Sequence, residues 1–406
     1  MQTPPILAGL RIVEAAAFVA APLGGMTLAQ MGADVIRIDA LHGGLDYRRW
    51  PVTDDNTSLF WAGLNKSKRS VALDLASPRG RELAMALVCA PGDDAGLLLT
   101  NFPPRGWLDH DTLRQQRSDL IQLTVQGDRH GGSAVDYTVN ARMGMPTITG
   151  ARDAPGVVNH VLPAWDLITA QMVAVGLLAA ERHRRRSGQG QHVKLALEDV
   201  GLAVMGHLGY IAEAERGPQR QRHGNDLYGA FGRDFVSADG QRLMLVGLTA
   251  KQWRSICLAM DLVPAMASLG QRLALDLGLE GNRFLARCEI ADLVGAWVGS
   301  LPFADIAVRL DQHAVCWGRY QTLAQLVQQD PSCSLANPMF NTVLQPGIGP
   351  TLAAGIALSF SALDRLPAAP APRLGQHTEQ VLAELLGLDS AEFGRLHDAG
   401  VVGTAD

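Results

Sequence analysis

The sequence predicts an α/β protein: a large domain built on a mostly parallel sheet covered on both faces, and a smaller α+β domain. Short apolar runs of strand length alternate with helical runs as far as Asp199, and strands separated by helices pair as parallel neighbours. A polar stretch with Gly217, Pro218 and Gly224 interrupts that pattern over 216–227 and reads as a linker. Beyond it, Phe231–Val236 and Gln241–Val246 flank Ala238-Asp239-Gly240, where Asp-Gly marks a hairpin. The chain has 406 residues, 47% of them hydrophobic, more than one growing core accommodates. The domains are placed at 1–215, 228–320 and, returning to the first, 321–406.

Taken in order, Leu10–Glu14 is a short apolar strand, Phe18–Pro22 a small-residue loop, Leu23–Met31 a helix and Asp34–Asp39 a second strand. This β-α-β outline ending in Asp39 is that of a nucleotide-binding fold. Gly24-Gly25 is only a pair, however, and no G-x-G-x-x-G follows the first strand, which argues against an NAD-dependent dehydrogenase. Gly43–Asn56 is polar and turn-rich. Ser70–Asp74 alternates as a strand, Pro78–Val88 is helical, and Ala95–Thr100 and Leu120–Val125 are buried strands, the last leading into the Gly-rich loop Gly127–Ser133.

The stretch Val158–Asp199 carries the strongest local signal. Leu167, Ile168, Met172, Val173, Leu177 and Ala180 recur at the spacing of one buried helical face, which runs out near Arg186. Ser187, Gly188 and Gly190 supply a stop before the strand His192–Leu197. Asp166 stands where loop becomes helix. That is a favoured N-cap position, because a carboxylate accepts the free amides of the first turn. It equally suits a nucleophilic carboxylate, which the positive helix end keeps ionised. A further helix runs to about Glu215. After the hairpin come helices at Lys251–Met260, Asn282–Val298 and Phe303–Gln312. Pro346–Pro350 and Leu366–Pro372 exclude long regular elements, and Thr378–Leu386 is a last helix.

The net charge of -5 carries no nucleic-acid footprint. Arg184-Arg185-Arg186 closes a helix, where cations suit the dipole. The five cysteines are scattered and form no C-x-x-C pair, which fits a reducing cytoplasm and no structural metal. No signal segment opens the chain and no uninterrupted apolar run reaches spanning length, so no membrane is expected.

Five blocks in this order, GLRIVEAAAFVAAP…LAQMGADVIRID, LNKSKRSVALDL, TNFPPRGWL, WDLITAQMVAVGLLAAERHRRRSGQGQHVKLALED and PAPRLGQHTEQVLAELLGL, resemble the class III CoA-transferase family across nearly the whole chain. The resemblance implies a Rossmann-like large domain, a smaller domain and an interlaced homodimer. It implies a CoA thioester substrate, with no cofactor beyond that CoA. It makes Asp166 the nucleophile, passing through an aspartyl anhydride and an aspartyl-CoA thioester. For CoA it points to Val19 and Ala20, the segment from Leu64 through Lys66 to Lys68, Asn101 and Phe102, and Gln126, Gly127 and Arg129. Lys66, Lys68, Arg69 and Arg105 are the cations for its phosphates.

Three departures qualify it. The basic residue that the family often carries after the second strand falls at Ala40, so Arg37 or Arg48 substitutes. Val135 stands where the racemase branch has a His, which disfavours α-proton exchange. The glycine run that shields the anhydride in some members is absent; the region reads His223-Gly-Asn-Asp-Leu-Tyr-Gly-Ala-Phe-Gly. Finer motifs, GGLDYRRWPVT, SLFWAGLNK, VNHVLPAWD, GNDLYGAFGRDF and NPMF, resemble a branch that moves CoA between the C1 and C4 carboxyls of one mesaconate molecule. The alternative is intermolecular transfer to another short dicarboxylic acid. Arg48, Arg49, His160, Tyr228 and Arg233 are the candidates for reading the second carboxylate.

Overall fold

The computed structural model describes residues 4–217 and 219–405; Pro218 of the expected linker, Met1–Thr3 and Asp406 lie outside the described residues. The strands are β1 (Arg11–Ala15), β2 (Asp34–Ala40), β3 (Arg69–Leu73), β4 (Leu97–Thr100), β5 (Ile121–Gln126), β6 (Gln191–Ala196), β7 (Phe231–Val236), β8 (Arg242–Gly247), β9 (Cys316–Arg319), β10 (Phe340–Gln345), β11 (Gly349–Ala354) and β12 (Val402–Gly403). The chain divides into two compact units. The first comprises Met1–Met143, His160–Glu213 and Pro331–Asp406; the second comprises Gly144–Asn159 and Ala214–Asp330.

In the first unit one seven-stranded sheet has the order β12-β3-β2-β1-β4-β5-β6. All pairs are parallel except that of β12, which closes the edge antiparallel to β3. Apart from β12 this is the strand order of a dinucleotide-binding fold, with its switch point between β1 and β4. Ile12, Leu97, Leu99, Ile121 and Leu123 face Val173 and Leu177, while Val13, Ile36, Val71 and Leu98 face Leu83, Leu87, Val381 and Phe393. Strands β1 to β5 are thus buried on both faces, which explains their near-continuous apolar runs, whereas the edge strand β6 is half-exposed.

The expected loop Phe18–Pro22 is shorter than its residues suggest: the first helix spans Ala20–Ala29. Pro22 sits in its first turn, where a missing N–H costs no intrahelical bond. The Gly24-Gly25 pair serves packing rather than phosphate binding. A Cβ on Gly24 would lie 2.5 Å from Val173 of the helix Ala164–Ser187, and one on Gly25 would lie 2.0 Å from the Glu14 carboxylate. Helices at Leu59–Leu64, His110–Gln116, Asp136–Arg142 and Ser390–Asp398 are too short or too polar for periodicity to reveal. Of the Pro-Gly stretch at 346–350, residues 346–348 prove to be the turn of the β10–β11 hairpin, and Gly349 and Pro350 open β11, paired with Gln345 and Leu344.

The second unit holds the antiparallel sheet β7-β8-β9. Its core gathers Phe231, Leu243, Leu245, Trp253, Ile256, Ile290, Val294, Ile306 and Leu310. It takes in residues on both sides of the 228–320 stretch assigned from sequence, including the separate segment Gly144–Asn159. Arg222 binds that segment to the rest of the unit, donating to the carbonyls of Thr147, Ala154 and Gly156. The helix expected over Asn282–Val298 is broken at Ala286 into Glu280–Leu285 and Arg287–Gly299.

Candidate active site

Parallel strands deliver their following loops to one edge, and ligands of open α/β sheets bind there, at the switch point. At that edge β1 runs out into Ala16–Val19, β4 into Asn101 and Phe102, and β5 into Gly127. Asn101 joins the first two loops: its Oδ1 accepts from Ala17 N at 3.0 Å and its Nδ2 donates to Ala17 O at 2.8 Å. Thr100 Oγ1 donates to Ala15 O at 2.7 Å and accepts from Phe102 N at 3.1 Å. Phe18 is held in the left-handed region (φ 67°), and its N–H donates to Asp46 Oδ2 at 3.2 Å. That conformation is costly for a bulky residue, so the β1 loop is set by its neighbours rather than by its own preference. In the third loop Gly127 passes so close to Ala134 N that a Cβ would lie 2.2 Å away. Asp128 Oδ1 accepts from His130 N and Gly132 N and folds the loop on itself. Val19, Ala20, Asn101, Phe102, Gln126 and Gly127 are therefore brought together by topology.

The expected cations divide. Arg105 and Arg129 are exposed, Arg129 donating to its neighbour His130. Lys66 is half-buried and donates to Gly63 O; burial lowers its pKa. Arg37 and Lys68 are corrections: neither side chain is available to a phosphate, both being 0% exposed. Arg37 donates to Asp39, Asp46, Glu14 and Asn65 and lies 4.3 Å over the Trp61 ring. Lys68 Nζ donates to both Glu14 oxygens at 2.7 and 2.9 Å, to Pro22 O and to Asn65 Oδ1. Burial alone would lower the Arg37 pKa, yet the three carboxylates carry it upward. Burial takes Lys68 down to about 8 and raises Glu14, and their contact opposes both shifts. Arg69 is likewise engaged, by Asp34 and Glu384. The Lys and Arg signal in the sequence could not separate these partnered cations from free ones.

Asp166 occupies the start of the helix Ala164–Ser187. This helix crosses back from the end of β5 to the beginning of β6, so its N-terminus lies at the ligand-binding edge of the sheet. Asp166 is not the cap expected from the sequence. The cap position is Pro163, whose side chain accepts nothing, and Asp166 is the third helical residue. The orphan amides of the first turn are taken instead by Asp136, 30 residues earlier. Its Oδ2 accepts from Trp165 N at 2.7 Å and Asp166 N at 3.2 Å, and its Oδ1 meets His160 Nε2 at 3.1 Å. Trp165 Nε1 donates to Asn140 Oδ1 at 3.2 Å, and Tyr137 Oη to Val161 O at 3.2 Å. The helix Asp136–Arg142 is thereby tied to the segment His160–Asp166.

This frees the Asp166 carboxylate and also burdens it. No cation among the described residues forms an ion pair with it. The helix end favours the anion, but burial, then the nearby Asp136 charge, outweigh it and push the Asp166 carboxyl up to about 7. The expectation that the dipole simply keeps it ionised is thus corrected. Asp136 is the residue that sequence reasoning missed. It lies in the stretch searched for a histidine, and no local spacing links it to a helix 30 residues on.

Of the candidates for a second carboxylate, His160 joins this cluster through Asp136. Arg48 is exposed and lines, with Tyr47, Asn56, Trp61, Gln345 and Arg373, a cavity of about 120 Å³ in the first unit. Arg49 lies over the rings of Phe18 and Phe60. Tyr228 and Arg233 belong to the second unit. There Tyr228 stacks on His223 at 5.4 Å, and Arg233 pairs with Asp226 at 2.9 Å.

Comparison with known proteins agrees with this geometry. The model of CoA-transferase family III matches residues 7–378. The chain is 58% identical to the 2-methylfumaryl-CoA isomerase of Chloroflexus aurantiacus, over 99% of this chain and 98% of that one. It is 30% identical to the succinyl-CoA:mesaconate CoA-transferase of Haloarcula hispanica, over 92% of this chain and 95% of that one. Among solved structures, a CAIB/BAIF family protein from Brucella suis shares the fold with a TM-score of 0.76 at 23% identity, covering 94% of this chain and all of that one. The chain belongs to CoA-transferase family III.

Proposed function

We propose that the protein is an intramolecular CoA transferase that moves CoA between the C1 and C4 carboxyls of mesaconate, converting 2-methylfumaryl-CoA to 3-methylfumaryl-CoA. The likeness to the Chloroflexus isomerase over 99% of the chain carries the choice of substrate. The Asp166 carboxylate, half-buried beside Asp136 and without a cationic partner among the described residues, carries the mechanism.

In this reading Asp166 attacks the thioester carbonyl, breaks the C–S bond and forms an aspartyl-acyl anhydride with release of CoA thiolate. The thiolate attacks the aspartyl carbonyl, giving an aspartyl-CoA thioester and free mesaconate dianion. Mesaconate turns in the site, and its other carboxylate attacks that thioester to form the second anhydride. The thiolate then attacks the acyl carbonyl, releasing the isomeric thioester and regenerating Asp166. Every bond broken is matched by one formed, and no proton donor, oxidant or metal enters the balance. Splitting the exchange into addition and elimination steps on one carboxylate lowers each barrier. A carboxyl near 7 is a stronger nucleophile when ionised than an ordinary aspartate and is still substantially ionised at neutral pH.

CoA is assigned to the loops after β1, β4 and β5, with Val19, Ala20, Leu64, Lys66, Asn101, Phe102, Arg105, Gln126, Gly127 and Arg129 as its contacts; Arg37 and Lys68 are withdrawn. The exposed apolar residues Ile168, Met172 and Val175, at the spacing of one face of the helix Ala164–Ser187, support assembly as a homodimer, since an apolar stripe facing water is unfavourable. The five free cysteines support a reducing cytoplasm.

The test is incubation of the purified protein with 2-methylfumaryl-CoA and labelled free mesaconate. The expected result is the C4 isomer without label. Label entering the product at the rate of turnover would instead support intermolecular transfer to a free acid, the activity named for the Haloarcula relative.

A further inference from the structure

In the second unit three arginines converge on one acid. Arg233 Nε lies 2.9 Å from Asp226 Oδ1, while Arg287 Nε and Arg152 Nη2 lie 3.5 and 3.7 Å from Asp226 Oδ2. Asp226 is 3% exposed at its side chain and is, among the described residues, the one acid in ion-pair reach of all three. Among these four groups the count is three positive charges against one negative, and Arg220 lies 3.9 Å over the nearby Tyr228 ring. The pairing is also incomplete: Asp226 Oδ2, Arg287 Nε and the adjoining His223 Nδ1 are buried without a hydrogen-bond partner. Arg233 and Arg152 nevertheless stay 36% and 48% exposed, so their forks reach solvent.

One side of this cluster is a ledge of flat rings. His223 stacks on Tyr228 at 5.4 Å, Phe284 meets both edge-on at 5.2 and 5.1 Å, and Arg287 lies 4.3 Å over Phe284. A folded protein keeps half-buried polar groups paired, and guanidinium forks match the planar oxygens of a carboxylate or the oxygens of a phosphate. Excess cations held rigid beside an aromatic wall, with donors unspent, therefore have the composition of an anion receptor.

We propose that Arg152, Arg233 and Arg287, organised by Asp226, form an oxyanion-binding site whose ligand presents a carboxylate or phosphate against the His223–Tyr228–Phe284 ledge. Asp226 acts as the organiser: it holds Arg233 at 2.9 Å and draws Arg287 and Arg152 to its other oxygen at 3.5 and 3.7 Å, one negative charge for three positive ones. Two groups in this enzyme's chemistry carry such oxygens, a short unsaturated dicarboxylate and the phosphorylated adenosine of CoA. The site stands on its own residues and does not depend on the role of Asp166.

The test is calorimetric titration of the full-length protein with mesaconate, and separately with adenosine 3′,5′-bisphosphate and inorganic phosphate, for the native chain, Arg152→Gln and Arg233→Gln. Both variants change partly exposed side chains, and thermal melting checks that each is folded. Weakening of about tenfold or more for mesaconate in both variants, with melting within a few degrees of native, assigns the site to the carboxylate. The same loss confined to the bisphosphate and phosphate assigns it to the nucleotide. Affinities unchanged within about twofold for every probe, or no saturable binding of any of them to the native chain, would overturn the proposal, whatever Asp166→Asn does to turnover.

Discussion

Two groups of carboxylates in the first unit, one buried and one half-buried, teach more together than either does alone. Around Arg37, each of the three acids Glu14, Asp39 and Asp46 has a cation in contact, the two cations Arg37 and Lys68 being shared among them, and the side-chain oxygen of Asn65 and the ring of Trp61 complete the shell. Around Asp166, two acids lie close together and, among the described residues, the one partner of ionic type is His160, spent on Asp136. The first group is closed, and its charges position the Phe18 loop. The second is open, and its carboxylate has nothing to neutralise it except a proton or a reacting carbonyl. Charge compensation, more than burial, separates a structural acid from a nucleophile here.

The largest effect belongs to the open group. Asp166→Ala is expected to lower turnover by a factor on the order of 10⁴ or more, with secondary structure intact by circular dichroism, because a covalent path has no substitute. Next comes the closed group. Arg37→Met would strand the buried carboxylates of Asp39 and Asp46, leaving Glu14 to Lys68, and cost about 3–5 kcal/mol of stability by urea denaturation. If Arg37→Met were instead well folded but unable to bind CoA thioesters, Arg37 would be a ligand contact after all.

The middle prediction sharpens the contrast. Asp136→Asn retains a side-chain oxygen for the amides of Trp165 and Asp166 but removes the like charge. Activity should fall below about pH 7 in the native protein, where Asp166 becomes protonated. In Asp136→Asn that acid limb should move to lower pH, with a loss in kcat of about tenfold from poorer positioning. An unmoved limb in the pH profile of kcat would leave Asp136 with a purely structural role.

The smallest effect is on stability. The Asp166 pKa is raised on folding, so the folded chain holds the proton between about pH 4 and 7 while the unfolded chain releases it. Stability contributed through this group is therefore present at low pH and lost as pH rises through 7. Asp166→Asn should abolish that dependence and melt higher at pH 8, by about 1 kcal/mol. A variant that melts lower at that pH would mean the carboxylate is better paired than its surroundings indicate.

Much of this was legible in the residues. The alternation of apolar strands and helices gave the parallel sheet, and the 3.6-residue recurrence from Leu167 to Ala180 gave the helix on which Asp166 sits, although Ile168 and Met172, expected on its buried face, are exposed. What stayed hidden has a common cause. The cap supplied by Asp136, the pairing of Lys68 with Glu14 across 54 residues and the clash that requires Gly25 are contacts between positions far apart in sequence. Periodicity and local capping rules do not see such contacts. The same blindness made Arg37 and Lys68 look like phosphate ligands, since a basic residue reads alike whether it faces solvent or three carboxylates.

The most direct measurement of the central claim is mass spectrometry of the protein treated with 2-methylfumaryl-CoA and then quenched with hydroxylamine or borohydride. An aspartyl thioester or anhydride predicts modification at Asp166 alone, absent from Asp166→Asn and from protein not given substrate. Full turnover with Asp166 unmodified, or the same adduct on another residue, would contradict the account.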